Sequence, residues 1–249
     1  MIGDFGKGFG YALDGLRSLG RPGLRRYVAL PLAVNLAMFA VGGWWIAVSL
    51  GDLVDWVQRY LPEWLDWLAW LLWPVAVAGF LAVAWFGFTL LANLVGSPFN
   101  GVLAEKVATM AGRAPGPGRP LWQEIVVAPV AEVRKLAHFA MIAVPALLLF
   151  LVPVVNVAAP AVWLAASAWM LALEYGDYPM SNAGIDFAAQ RARLKARRGL
   201  ALGFGTGVLV MTLVPGLNFL SMPAGVVGAT LMWSKELVNG PRGEGPGCC

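Results

Sequence analysis

The sequence predicts an all-α integral membrane fold: two full transmembrane helices, two re-entrant helical hairpins, and an N-terminal amphipathic helix lying in the interface. Three observations predict it. Charged residues make up 13% of the chain and hydrophobic ones 59%, with a mean hydropathy of +0.69; a soluble domain carries about 25% charge. Four stretches, 27–50, 67–96, 139–173 and 199–233, carry no charge at all. The last two hold 35 residues each and are interrupted, one by Pro153 and Pro160, the other by Pro215 and Pro223.

Residues 3–20 come first. They place Phe5, Phe9, Leu13, Leu16 and Leu19 at helical spacing, with Lys7, Asp14 and Arg17 elsewhere on the wheel. That pattern is an amphipathic helix lying in the cytoplasmic interface. No apolar core of a cleavable signal peptide appears in residues 1–26. Arg21-Pro22-Gly23 makes a turn, and a helix begins near Leu24. Stretches 27–50 and 67–96 each suit a single span, since about 20 apolar residues cross a bilayer. Tryptophans such as Trp44, Trp45, Trp64, Trp67, Trp70 and Trp73 suit anchoring at the interface. Segment 111–120 is a Pro/Gly-rich loop, and 121–138 an amphipathic helix leading into the first hairpin.

The prolines leave halves of about 14 residues in stretches 139–173 and 199–233, about 20 Å of helix and too short to span. Charge leads to the same topology. Lys and Arg number five in 1–26, one in 51–66, five in 97–138 and five in 174–198. The positive-inside rule then puts the three basic segments and both termini in the cytoplasm and acidic 51–66 outside. A single crossing by 139–173 would leave Arg191, Arg193, Lys195, Arg197 and Arg198 on the wrong side; re-entry removes the conflict. The hairpins also repeat each other: Val152-Pro153-Val-Val-Asn156 resembles Val214-Pro215-Gly-Leu-Asn218. One membrane domain, 1–238, is therefore expected, with a disordered Gly/Pro-rich tail, 239–249, ending in Cys248 and Cys249.

Each apolar stretch carries one asparagine: Asn35, Asn93, Asn156 and Asn218. An unpaired amide in lipid costs several kcal/mol, so these side chains need partners or water. Two readings stand: interhelical glue or caps at the hairpin tips, and the lining of a polar path. Gly23-Leu24-Arg25-Arg26 puts two guanidiniums at a helix N-terminus, which favours an oxyanion; contact with anionic lipid is the competing reading. Ser97-Pro98-Phe99-Asn100-Gly101 reads as a turn at the cytoplasmic surface, and Glu105 after it stands at a pathway mouth or on a solvated helix face. Glu174 and Asp177 guard the inner mouth or pair with nearby cations. Gly199, Gly203 and Gly207 make a close-packing surface for another helix. With His138 the only histidine and no nucleotide or nucleophile motif, the chain is not read as an enzyme, and no cofactor or nucleic-acid partner is expected.

Residues 22–35 (PGLRRYVALPLAVN), 97–107 (SPFNGVLAEKV), 169–179 (WMLALEYGDYP) and the 213–233 hairpin resemble the CysZ sulfate permeases of bacterial inner membranes. The similarity runs from residue 10 to 235. It implies two full spans with two hemi-penetrating hairpins, homo-oligomeric assembly, and sulfate uptake feeding cysteine synthesis. It also implies sulfate contact at Gly23, Leu24, Arg25 and Arg26. Beside it, the asparagine pattern gives the hypothesis that Asn35, Asn93, Asn156 and Asn218, joined by Glu105 and Asp177 near the inner mouth, line or gate a narrow path. The partners the resemblance implies are sulfate, membrane lipid and further copies of the chain. A non-transporting scaffold that binds anionic lipid, and a permease for another oxyanion, remain the alternatives.

Overall fold

The computed structural model describes residues 2–60, 74–75, 77–82, 99–113 and 121–238. All secondary structure among the described residues is helical. The elements are α1 (Ile2–Ser18), α2 (Arg25–Tyr60), α3 (99–110), α4 (Leu121–Leu148), α5 (Ala159–Asn182), α6 (Phe187–Ala196), α7 (Arg198–Leu213) and α8 (Asn218–Met232), which runs into a π turn, Trp233–Leu237. The chain divides into two compact units, Met1–Val28 with Asn100–Cys249, and Ala29–Phe99. Within the second unit, the rings of Trp45 and Phe80 lie 6.4 Å apart. Most of the expected span 67–96 and the whole tail 239–249 lie outside the described residues.

The core of the first unit is built by small residues. Gly8 of α1 sits against the Leu200 carbonyl of α7, and Gly15 against the Ala224 carbonyl of α8. From the other side, Gly203 meets the Phe5 carbonyl, Gly207 meets Ala12, and Gly228 meets the Tyr11 carbonyl. Gly205, on another face of α7, meets the Ala168 carbonyl of α5, and Gly225 of α8 lies under the Tyr175 ring. A methyl group at any of these positions would collide, so the α7–α8 pair is held between α1 and α5 at backbone-contact distance. Phe204, Leu173, Met180, Leu200 and Met232 fill this core and are fully buried.

Two sequence expectations change here. Helix α1 buries Gly8, Ala12, Gly15 and Ser18, while Phe5 stays 40% exposed. The large apolar stripe marks the flank of the contact, because close helix approach needs the small stripe. Gly203 and Gly207 do face another helix, and that helix is α1. The arms of the first hairpin are also longer than the charge-free stretch. Helix α4 has 28 residues and α5 has 24, about 42 and 36 Å long. Lys135 of α4 pairs with Glu174 and Asp177 of α5, as described below, so these charges do not end the helices. Val133–Leu151 is the one helical stretch among the described residues long and apolar enough to cross a membrane by length and composition. Helices α7 and α8, at 16 and 15 residues or about 24 Å, are close to the expected arms. Pro223 is inside α8 and Pro179 inside α5, so neither ends its helix.

The repeat is physical. After each first arm the chain turns extended, at Val152 (φ −91°, ψ 114°) and Val214 (φ −87°, ψ 116°). The Asn156 N–H then donates to the Val152 carbonyl at 2.9 Å, and the Asn218 N–H to the Val214 carbonyl at 3.1 Å. Two residues after each valine, φ is positive: 71° at Val154 and 87° at Gly216. Glycine takes that conformation freely, and a β-branched residue does not. At Val154 the turn closes tightly, with the Val155 N–H on the Pro153 carbonyl at 2.9 Å. Val154 is 88% exposed, so its side chain holds no packing in place. Val154→Gly is expected to stabilise the protein by about 1 kcal/mol, read as a raised midpoint of thermal unfolding in detergent. An unchanged or lowered midpoint would show the strain to be absent.

Candidate functional site

The chain from α1 to α2 is a run of tight turns without slack. Leu19 N–H bonds the Leu16 carbonyl, Arg21 N–H that of Ser18, Leu24 N–H that of Arg21, and Val28 N–H that of Leu24. Gly23 has φ +93°, a conformation that requires glycine. Leu24 is 2% exposed and belongs to the same core cluster as Leu19, Leu103, Ala104 and Val107. Its side chain anchors the turn, and its N–H is already used within the chain. This separates Leu24 from its neighbours in the motif.

Arg25 and Arg26, both exposed, open α2, whose first turn has no acidic residue. Arg25 Nε donates to the Gly20 carbonyl at 2.7 Å, which fixes the guanidinium plane and leaves both Nη groups for a ligand. Arg26 lies over the Tyr27 ring at 5.0 Å, with Nη2 donating to the Tyr27 hydroxyl at 3.2 Å. The N–H groups of Gly23, Arg25 and Arg26 have no backbone acceptor among the described residues. A free helix N-terminus beside two oriented guanidiniums is chemically an oxyanion receptor.

The expected polar-path residues belong to different elements of the chain. Asn35 lies within α2, and Asn93 lies outside the described residues. Asn156 and Asn218 are exposed at the two hairpin tips, and no side-chain cap bond is made at the start of α5 or α8. Glu105 is exposed on α3. Asp177 sits in an internal network. Lys135 of α4 lies 3.2 Å from Asp177 and 3.2 Å from Glu174 of α5, with its own side chain 9% exposed. The other Asp177 oxygen accepts from Ser181 and from Gln190 Nε2 of α6. This network ties α4, α5 and α6 together. Nearby, Asn182 Nδ2 donates to the Gly101 carbonyl at 2.8 Å and Asn100 Nδ2 to the Tyr178 hydroxyl at 3.5 Å. Asn100-Gly101 thus opens α3 rather than making a free turn.

Breaking a buried ion pair leaves an uncompensated charge, which costs about 3–5 kcal/mol. Glu174 is 38% exposed and relaxes into solvent. Lys135→Ala is therefore expected to destabilise the protein by about 2 kcal/mol, lowering the thermal midpoint more than Arg134→Ala on the exposed face beside it. Equal midpoints would show that the network holds nothing.

Sequence reasoning missed the ionic clasp at the end of α7 and α8. Arg197 Nη2 donates to Asp4 Oδ1 at 2.9 Å and to Glu236 Oε2 at 3.2 Å. Tyr11 donates its hydroxyl to Glu236 Oε1 at 3.2 Å. The Arg197 guanidinium holds the Asp4 carboxyl below its usual range, and burial, reinforced by Glu236, pushes Tyr11 up to about 12. Asp4 and Tyr11 share one α1 face two turns apart, the one local signal available.

The described residues are helical, pack through small residues, and carry two arginines at a free helix N-terminus, an arrangement whose chemistry suits an oxyanion. The comparison with known proteins is specific. Residues 11–223 match the family described as Sulfate transporter CysZ/Etoposide-induced protein 2.4, and the chain belongs to that family. A Sulfate transporter CysZ of Pseudomonas fluorescens is 40% identical over 231 residues, 91% of this chain and 92% of its own length. Relatives of the same name in Pectobacterium atrosepticum and Pseudomonas aeruginosa are each 37% identical, covering 93% and 91% of this chain and 86% and 94% of their own lengths.

Proposed function

We propose that this chain is a sulfate permease of the bacterial inner membrane that takes up sulfate for cysteine synthesis. The Gly23–Arg26 turn receives the dianion through the two guanidiniums and the unengaged N–H groups, while Leu24 anchors the turn. One observation carries this reading: the receptor is rigid before any ligand arrives, because Gly23 sets the turn, Leu24 pins it and Arg25 is braced on the Gly20 carbonyl. Preorganisation of this kind favours a specific ligand over diffuse lipid contact. The names of the relatives supply sulfate as the ligand.

The finer arrangement is part of the proposal. Basic segments and both termini face the cytoplasm, 27–50 and 67–96 span, and the hairpins at 139–173 and 199–233 enter and return. The short α7 and α8 and the exposed apolar tips support re-entry, with Val157 84% and Phe219 70% exposed. Tips in lipid need cover for their backbone groups, so we propose a homo-oligomer in which other copies supply it. Asn156 and Asn218, aligned by the repeat, then face each other's copies or a downhill polar path, with Asn35, Asn93 and Glu105 along it. Asp177 contributes by holding the helices that frame this path. Radiolabelled sulfate flux into liposomes holding only the purified protein tests the reading. Flux without a proton gradient supports an autonomous permease. Its absence under every gradient rejects it in favour of a lipid-binding scaffold.

A further inference from the structure

Helix α8 ends in a π turn, Trp233–Leu237, closed by the Val238 N–H on the Trp233 carbonyl at 3.1 Å. Such turns are rare and occur frequently at functional sites. Two arginines from distant parts of the chain converge on this one. Arg113, just after α3, donates through Nη2 to the Ser234 carbonyl. Arg193 of α6 donates through Nη1 to the Leu237 carbonyl at 3.3 Å. The two carbonyls are three residues apart in one turn, so both guanidiniums bind the same short segment. Neither has a carboxylate partner among the described residues; the one acidic residue of the turn, Glu236, is taken by Arg197 and Tyr11.

Two residues of the turn, and Arg193 of α6 bonded to it, bury donors with nothing to donate to. Arg193 Nε, Trp233 Nε1 and Ser234 Oγ are all inaccessible and unpartnered. Trp233 is 8% and Ser234 4% exposed. Indole and guanidinium nitrogens only donate, and the serine hydroxyl is free to do so. Helix-capping arginines would satisfy the carbonyls and stop there. Unmatched buried donors beside two uncompensated cations call for a ligand that only accepts and carries negative charge.

We propose that the π turn is a second oxyanion site, distinct from the Gly23–Arg26 turn. Arg113 and Arg193 supply the charge, and Arg193 Nε, Trp233 Nε1 and Ser234 Oγ supply the remaining donors. Its ligand class is a small tetrahedral oxyanion, sulfate or phosphate. A lipid phosphate has the same chemistry, but donors this deeply buried favour a free ion.

Equilibrium dialysis of the full-length protein against radiolabelled sulfate tests this directly. Wild type is expected to bind two sulfates per chain. Arg113→Lys/Arg193→Lys and, separately, Trp233→Phe/Ser234→Ala are each expected to weaken one of them by tenfold or more. The second pair leaves both arginine–carbonyl contacts in place and guards against simple unfolding. Arg25→Ala/Arg26→Ala should remove only the other sulfate, so the two sites fail independently. Unchanged binding in both π-turn pairs, with only the thermal midpoint lowered, overturns the proposal and leaves the arginines as helix caps. Repeating the dialysis in phosphatidylcholine nanodiscs with and without phosphatidylglycerol identifies the source. Loss of the π-turn sulfate only with the anionic lipid makes a lipid phosphate the occupant of the same site.

Discussion

Arg25→Ala/Arg26→Ala is expected to cut sulfate uptake into liposomes by at least about a hundredfold at low sulfate. A hydrogen bond to a charged group contributes about 1.5–3 kcal/mol, and about 1.4 kcal/mol is a factor of ten. The variant loses both guanidiniums at once. It should keep its fold, because both side chains are exposed and the core anchor of the turn is Leu24. Arg25→Lys/Arg26→Lys separates sulfate from lipid. Lysine keeps the charge that attracts an anionic surface but loses the planar fork that grips two oxygens of one ion. Liposome association should therefore persist in the lysine variant while sulfate affinity falls. Full sulfate affinity in that variant would remove the turn from the mechanism.

The second large effect is on the fold itself. Gly203→Ala pushes a methyl group into the Phe5 carbonyl, and Gly205→Ala pushes one into the Ala168 carbonyl. Overpacking a core costs about 1–3 kcal/mol when side chains can rearrange. Here the obstacles are backbone atoms of α1 and α5, which have no rotamer to change, so a loss of 3 kcal/mol or more is expected for each. Gly10→Ala, on α1 with nothing nearby, is the control. It should gain up to about 1 kcal/mol from helix propensity alone. Thermal unfolding in detergent reads all three. If Gly203→Ala unfolds at the same temperature as Gly10→Ala, the interface between α1 and α7 is not the close contact described.

The sites of these two effects were unequally legible. Gly23-Leu24-Arg25-Arg26 was visible as a turn running into a helix with two arginines, because turn chemistry and helix starts are local. Which member points outward was not. Leu24 and Arg25 are adjacent, yet one is buried and the other exposed, and core residues that share Leu24's cluster, such as Leu103 and Val107, lie elsewhere in the chain. The stripe Gly199, Gly203 and Gly207 announced a close contact but could not name α1 as its partner. For Asp177 the sequence left a mouth role and pairing with a cation both open, because its cation, Lys135, is 42 residues away in sequence. The π turn left no local sign, since nothing in residues 233–237 indicates that Arg113 and Arg193 will reach it.

By itself the sequence located α1, the start of α2, and the reversals after α4 and after α7. The Val-Pro-X-X-Asn pattern makes the same reversal twice, closed each time by the Asn N–H on the Val carbonyl. These are short-range effects of backbone sterics and hydropathy, and they act wherever the segment lies. Only the tertiary structure decided that the small side of α1 faces inward, that α4 and α5 extend beyond their apolar runs, and that arginines far apart in sequence meet on one turn. Those outcomes depend on which surfaces fit at backbone distance and which buried charges find partners, and both are properties of pairs of elements rather than of any one of them.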